Sequence, residues 1–194
     1  MSLGKQAKAL TKQQQDAVLS YLSTTRNALR NRVIFLLSAR AGLRAKEIAG
    51  LTWEMVTDAE GAISDAIHLQ DKASKGNSGG VVYLNKGLKA ALEEHLFQEG
   101  KIITSNFVVR TERRKNTSAQ AIVNMFWHWY RDLGFTGCSS HSGRRTFITN
   151  AARKISTVGG SMRDVQMLAR HSSLNMTQRY VEADKDAMKK VVDL

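Results

Sequence analysis

Arg44, Lys75, His141, Arg144, His171 and Tyr180 occur in an order and spacing suited to one kind of chemistry. The two guanidiniums are planar forks that fit the non-bridging oxygens of a phosphate, and an ammonium can give up a proton. Two imidazoles accompany them, and a phenol, with an ordinary pKa of about 10, can attack phosphorus as it loses its proton. Phosphoryl transfer needs little more, because positioning and charge stabilisation supply most of the catalysis. No cluster of carboxylates accompanies the set in the sequence, so the reaction suggested is attack on a phosphodiester with no metal ion and no other cofactor.

Each residue alone has a plainer explanation. Arg44 follows Gly42, a helix-ending glycine beside which a cation suits the helix dipole. Lys75 in a polar hairpin would ordinarily be a solvated charge. His141 and Arg144 could pair across one helical turn, His171 could cap a helix, and Tyr180 could pack on an amphipathic one. Short motifs match by chance, and it is the joint order of all six that carries weight.

The elements that must position them read mostly as helices. Thr11 and Gln14 have capping-box spacing, followed by Val18, Tyr21 and Leu22 at helical intervals. A second helix runs from about Asn27 through Val33, Phe35, Leu36 and Leu37 and closes near Gly42. Residues 45–51 read as a short third helix. The period then changes: 66–71 and 81–84 read as strands around a bend at Gly76 to Gly80. That hairpin carries Lys75 directly before its Gly-Asn, with Lys72 three residues earlier as the alternative.

Helical spacing returns with Leu88, Ala91, Leu92, His95 and Leu96, and Asn106 to Val109 reads as another short strand. A helix from Thr117, with Gln120 at capping-box distance, places Ile122, Phe126, Tyr130 and Leu133 on one face. Trp127, Trp129 and Tyr130 cannot share a face, so core packing rather than base stacking is expected for most of them. Helices are also expected over 144–154, 161–169, 175–181 and 184–192. The fold class is therefore α+β, mainly helical, with a small antiparallel sheet. With no proline and no linker rich in Gly or Ser, 1–194 reads as one domain.

Composition narrows the partner. Lys and Arg number 29 against 17 Asp and Glu in 194 residues, a formal charge of +12. Such an excess favours a polyanion, nucleic acid first and an anionic membrane surface second. No apolar run reaches the roughly 18 residues of a membrane span, and the N-terminus has no signal-peptide core. The one cysteine, Cys138, excludes an internal disulfide and a cysteine-rich zinc site, and it precedes no phosphate-cradling loop of the kind a tyrosine phosphatase needs. The expectation is a cytoplasmic domain facing nucleic acid. Arg110, Arg113, Arg114 and Lys115 form the densest basic run and read as a backbone contact, with a solvated charge run as the alternative.

Taken with their surroundings, the residues resemble the catalytic domain of the tyrosine recombinases, the phage-integrase family. The frames are Ala41 to Ile48 around Arg44, Lys75-Gly76-Asn77 ahead of the strand, His141 to Phe147, Leu168 to Ser173, and Thr177 to Tyr180. The resemblance extends from about Ala9 to about Glu182. It implies an integrase core whose small sheet carries the lysine hairpin, and a site-specific DNA recombinase acting through a 3′-phosphotyrosyl link. Arg44 and Arg144 would hold the non-bridging oxygens, and Tyr180 would be the nucleophile. His141 would assist removal of its proton, His171 would donate to the phosphate, and Lys75 would protonate the departing 5′ oxygen. Glu47 would buttress Arg44, with an exposed helix carboxylate as the alternative. Double-stranded DNA would be met by Arg110, Arg113, Arg114, Lys115, Arg145 and Arg170, with a homotetramer on DNA and a monomer free of it.

Alternatives within reach are a type IB topoisomerase-like enzyme and a catalytically silent DNA-binding module. An intact Tyr180 beside both arginines counts against the second. Three departures from the family pattern stand out. Arg170 replaces a glycine usual before the histidine, so either the backbone adjusts or another phosphate contact is gained. Ser142-Gly143 replaces a common Asp-Leu, which can loosen the helix start. Almost nothing precedes the catalytic region where a DNA-clamping domain is usual, which suggests a fragment of a longer integrase or a short form that borrows a partner.

Overall fold

A single helix, α2 (Ala28–Ala41), organises the larger part of the chain, and Val33 to Ala39 are buried without interruption. Two successive turns buried on every side belong inside a core rather than on its surface. This computed structural model describes residues 6–70, 79–99, 106–111 and 116–181. Backbone contacts divide the chain into two units, Met1–Phe147 and Ile148–Leu194.

In the first unit α1 (Lys12–Ser23) and α4 (Lys86–Glu99) pack on α2, while α3 (Ala45–Ala49) packs on α2 and on α5 (Ala119–Asp132). The capping box of α1 forms as its spacing predicts. Gln14 N–H donates to Thr11 Oγ1 at 3.2 Å and Thr11 N–H to Gln14 Oε1 at 3.0 Å. Gly42 closes α2 in the left-handed region, at φ 67°. A Cβ there would also come within 2.5 Å of the Phe147 ring, so glycine is required twice over.

Strands β1 (Ala66–Leu69) and β2 (Gly80–Tyr83) pair antiparallel, with Ile67 opposite Val82. Alternation buries Ile67, Leu69 and Val82 and turns His68, Val81 and Tyr83 outward. The bend that carries Lys72 and Lys75 lies outside the described residues.

Two local expectations need correction. Asn106 to Val109 does not form a strand: it makes an isolated bridge, Phe107 to Thr52, in which Val108 N–H donates to Leu51 C=O and Trp53 N–H donates to Asn106 C=O. The opposing chain turns into a 3-10 helix at Trp53–Met55, which ends the ladder after one step. Helix α5 is capped by Ser118 rather than Thr117, since Ser118 Oγ accepts from Ala121 N–H at 3.1 Å. Gln120 instead pairs with Asn124 along the exposed face. Ile122, Phe126, Trp129 and Tyr130 are buried, whereas Trp127 faces out with the Arg131 guanidinium 4.8 Å above its ring.

Helix α6 (Ser142–Lys154) contributes to the first unit through Phe147 and to the second from Ile148. The second unit continues with a 3-10 turn, Ile155–Val158, then α7 (Met162–Ala169) and α8 (Leu174–Gln178). The Asp164 carboxylate caps α7, accepting from Ser161 N–H at 2.7 Å and Ser161 Oγ at 2.8 Å. Those bonds hold its pKa below the ordinary carboxylate value. Helix α8 stops at Gln178, short of the expected 181, so Tyr180 sits in the turn beyond it. The expected helix over 184–192 lies outside the described residues. No helix among the described residues is long and apolar enough to cross a membrane.

Candidate functional site

The first unit joins two of the six residues, Arg44 and Arg144, through the end of α2. Past Gly42 the chain is extended at Arg44, which is the N-cap of α3. Glu47, at the third position of that helix, accepts from Arg44 N–H at 2.7 Å and from Arg44 Nη1 at 2.9 Å. The Glu47 side chain is fully buried while the Arg44 side chain keeps about a quarter of its surface exposed, 24%. A buried carboxylate is tolerated only when paired and hydrogen-bonded, and here both oxygens are engaged. Glu47 thereby fixes one edge of the Arg44 fork while the side chain stays partly exposed.

Arg144 approaches from the first turn of α6. Its side chain is buried, and Nη1 donates to the Gly42 carbonyl at 2.5 Å. The turn that delivers Arg44 is therefore also the acceptor that orients Arg144. His141 precedes the helix in an exposed turn, its N–H directed to Ser139 Oγ at 3.3 Å.

The Ser142-Gly143 pair does not loosen this helix start. Ser142 is fully buried, its Oγ accepts from Ser139 N–H at 3.0 Å, and its carbonyl accepts from Thr146 Oγ1 at 2.7 Å. Gly143 lies so close to α2 that a Cβ would stand 2.4 Å from Ser38 Oγ and 3.1 Å from the Ala39 nitrogen. Absence of a side chain lets α6 settle on α2, and that approach carries Arg144 to the Gly42 carbonyl.

The second unit holds His171 and Tyr180. Helix α7 ends in a Schellman motif: Arg170 N–H donates to Met167 C=O at 2.9 Å and His171 N–H to Gln166 C=O at 3.1 Å. Arg170 occupies the left-handed position, φ 50° and ψ 49°. His171 is buried, its Nδ1 lies 3.0 Å from Thr177 Oγ1, and its ring centroid is 5.4 Å from that of Tyr180. Tyr180 N–H donates to Thr177 C=O at 2.9 Å, and its own carbonyl accepts from Thr149 Oγ1 at 3.3 Å. One threonine thus positions both the imidazole and the tyrosine backbone.

The basic residues assigned to DNA divide. Arg110 is in an ion pair with Glu99 at 2.6 Å, and its carbonyl accepts from Arg30 Nη1 at 3.2 Å. It lines a cleft of about 720 Å³ between the start of α2 and the end of α4. Arg145 donates to Gln6 Oε1. Lys75, Arg113, Arg114 and Lys115 lie outside the described residues. The residues that sequence reasoning passed over are Ser38, Gly42 as an acceptor, Thr149 and Thr177. Only Thr177 left a signal, a hydroxyl three positions before the tyrosine.

Against known proteins, the profile of the phage integrase family matches residues 8–187. Tyrosine recombinase XerA of Thermococcus kodakarensis is 27% identical over 186 residues, spanning 94% of this chain and 61% of that protein. Tyrosine recombinase XerC of Pelobacter propionicus is 28% identical over 168 residues, 85% of this chain and 51% of its own length. The chain thus spans about half to six-tenths of these curated relatives. Among solved structures, XerA recombinase superposes with a TM-score of 0.74 at 20% identity, over 96% of this chain and 64% of that one. XerH recombinase bound to palindromic difH substrate gives 0.75 at 18% identity, over 100% and 54% respectively. The Tn1549 transposon integrase with circular intermediate DNA gives 0.72 at 18% identity, over 98% of this chain and 66% of the other.

Proposed function

The chain belongs to the phage integrase family, and on that premise we propose that it is the catalytic portion of a site-specific DNA recombinase. The observation that carries the reading is the arginine pair. Arg44 is braced by a buried Glu47, and Arg144 is braced by the carbonyl of Gly42, two residues before Arg44. Two preorganised guanidiniums linked through one turn suit a phosphate whose non-bridging oxygens gain charge as phosphorus becomes five-coordinate.

In the proposed reaction the phenolic oxygen of Tyr180 bonds to phosphorus as the bond to the 5′ oxygen breaks. His141 assists departure of the phenol's proton, and Lys75 delivers a proton to the leaving oxygen. His171 donates to the phosphate from Nε2–H in the tautomer whose Nδ1 accepts a hydrogen bond from Thr177 Oγ1–H. The product is a 3′-phosphotyrosyl link and a free 5′ hydroxyl. The covalent link conserves the phosphodiester energy, so a strand can rejoin a different partner without ATP. Double-stranded DNA is the substrate, a tetramer of this chain on DNA is the working assembly, and the cytoplasm is its place.

A nicked suicide half-site tests this. The chain should become covalently attached to the DNA, visible as a retarded band on denaturing electrophoresis, and the adduct should form in excess EDTA. Tyr180→Phe should bind the same DNA and form no adduct. An adduct that persists in Tyr180→Phe, or one that vanishes in EDTA and returns with magnesium, overturns the scheme.

A further inference from the structure

Among the described residues, Arg170 is the one non-glycine residue at positive φ. The left-handed position of a Schellman motif is where glycine is normally used, because any Cβ is crowded there. Residues held in such a conformation are found where function requires what the backbone disfavours. The side chain retained at this expense is a guanidinium, half-buried, with its Nε and Nη1 out of water.

Its neighbours define what such a group would meet. The next residue is His171, whose N–H makes the longer bond of the same motif and whose ring lies beside Tyr180. Between Ile148 and Val181 the chain carries Arg153, Lys154, Arg163, Arg170 and Arg179 against one carboxylate, Asp164. Asp164 is at the opposite end of α7, holding Ser161. That segment of the chain is therefore strongly basic, and the planar fork of arginine suits phosphate oxygens in particular.

We infer that Arg170 is a phosphate-binding residue, gripping a backbone phosphate of the nucleic acid beside the one at which His171 acts. The inference rests on the DNA-recombinase reading above. It makes the left-handed arginine a trade of stability for binding: glycine at 170 would fold better and bind worse.

Two measurements on the intact chain test it, thermal melting and the salt dependence of affinity for a fluorescent duplex oligonucleotide. Arg170→Gly should melt higher, by roughly the 2–4 °C that relief of such strain brings in a chain of this size. Its plot of log affinity against log salt should be shallower by about 0.9, the value for one lost phosphate contact. Arg170→Lys should keep the wild-type slope. A higher melting point with an unchanged slope would overturn the inference while leaving the recombinase reading intact. A lower melting point would assign the side chain to holding the fold and overturn it as well. If the unaltered chain shows no salt-dependent affinity for DNA, the recombinase reading falls and takes this one with it.

Discussion

Arg144 donates from Nη1 to the carbonyl oxygen of Gly42 at 2.5 Å, across 102 residues of sequence. The acceptor is the residue that ends α2, and Arg44 follows two positions later, so the orientation of one arginine is tied to the turn that presents the other. Lysine at 144 would keep the charge but lose the fork, and could not serve a carbonyl and a phosphate together. Arg144→Lys should therefore slow single-turnover cleavage by roughly 10²–10³-fold, the usual loss of one preorganised donor, with DNA affinity within a few-fold of wild type. Wild-type cleavage by the lysine variant would remove Arg144 from the chemistry.

Arg44 and Glu47 allow stability and catalysis to be separated. Arg44→Ala leaves the buried Glu47 carboxylate without its ion-pair partner, a change that costs on the order of 3–5 kcal/mol. Adding Glu47→Gln removes the stranded charge. The double variant should regain most of the lost melting temperature and none of the lost cleavage. Recovery of both would show that Arg44 serves only the fold.

Contact between Gly143 and Ser38 predicts a paired effect. Gly143→Ala drives a methyl into Ser38 Oγ and should cost about 1–3 kcal/mol, more than the gain in helix propensity. Ser38→Gly clears both the hydroxyl and its Cβ from that space. A double-mutant cycle by chemical denaturation should give a coupling energy of opposite sign to the Gly143→Ala cost. Additive losses would mean that α6 does not sit on α2 at this point.

His95 makes stability depend on pH. Its Nε2 lies 2.9 Å from the Val108 carbonyl and its ring centroid 5.6 Å from that of Trp53. Burial holds its pKa below the ordinary 6.5, outweighing the opposing pull of the Val108 carbonyl. The unfolded chain takes up a proton near pH 6.5 and the folded chain only at lower pH, so in that window the unfolded state binds more protons. Stability should fall as pH drops through about 6.5, seen as a lower melting temperature at pH about 5.5 than at about 7.5. His95→Gln keeps a donor for Val108 and should flatten that part of the pH profile. An undiminished slope in the glutamine variant would place the responsible group elsewhere.

Lys75 as general acid is tested through the leaving group. Lys75→Ala should slow cleavage of ordinary DNA by roughly 10²–10⁴-fold. Sulfur at the bridging 5′ position leaves without protonation and should restore most of that rate, whereas Arg44→Ala should gain nothing comparable. Rescue of Lys72→Ala in place of Lys75→Ala would exchange the roles of the two lysines.

Local signals in the chain proved the most readable. The capping box at Thr11, the closing glycine at 42 and the helical period of α5 depend on neighbours within a turn or two, and the structure has all three. Short elements were less legible: Phe107 pairs for one step only, because Trp53 opposite it turns away. The turn at Tyr180 beyond the end of α8 was likewise hard to read, since Thr149, whose hydroxyl donates to the Tyr180 carbonyl, lies 31 residues away in sequence.

The sequence by itself determined the chemical inventory and its order: two guanidiniums, two imidazoles, a lysine in a polar bend and a tyrosine nine residues after a histidine. It determined too that a chain of charge +12 would favour a polyanion. Only the tertiary structure decided which charges are bound to the protein and which face outward. Glu47 could have been an exposed helix carboxylate, and is instead buried against Arg44. Arg110 headed the densest basic run, and is instead held by Glu99. Gly143 looked like a weakness in a helix start, and is instead the space into which Ser38 fits. In each case the energy depends on partners distant in sequence and on exclusion of water, and neither is set by the spacing of residues along a chain.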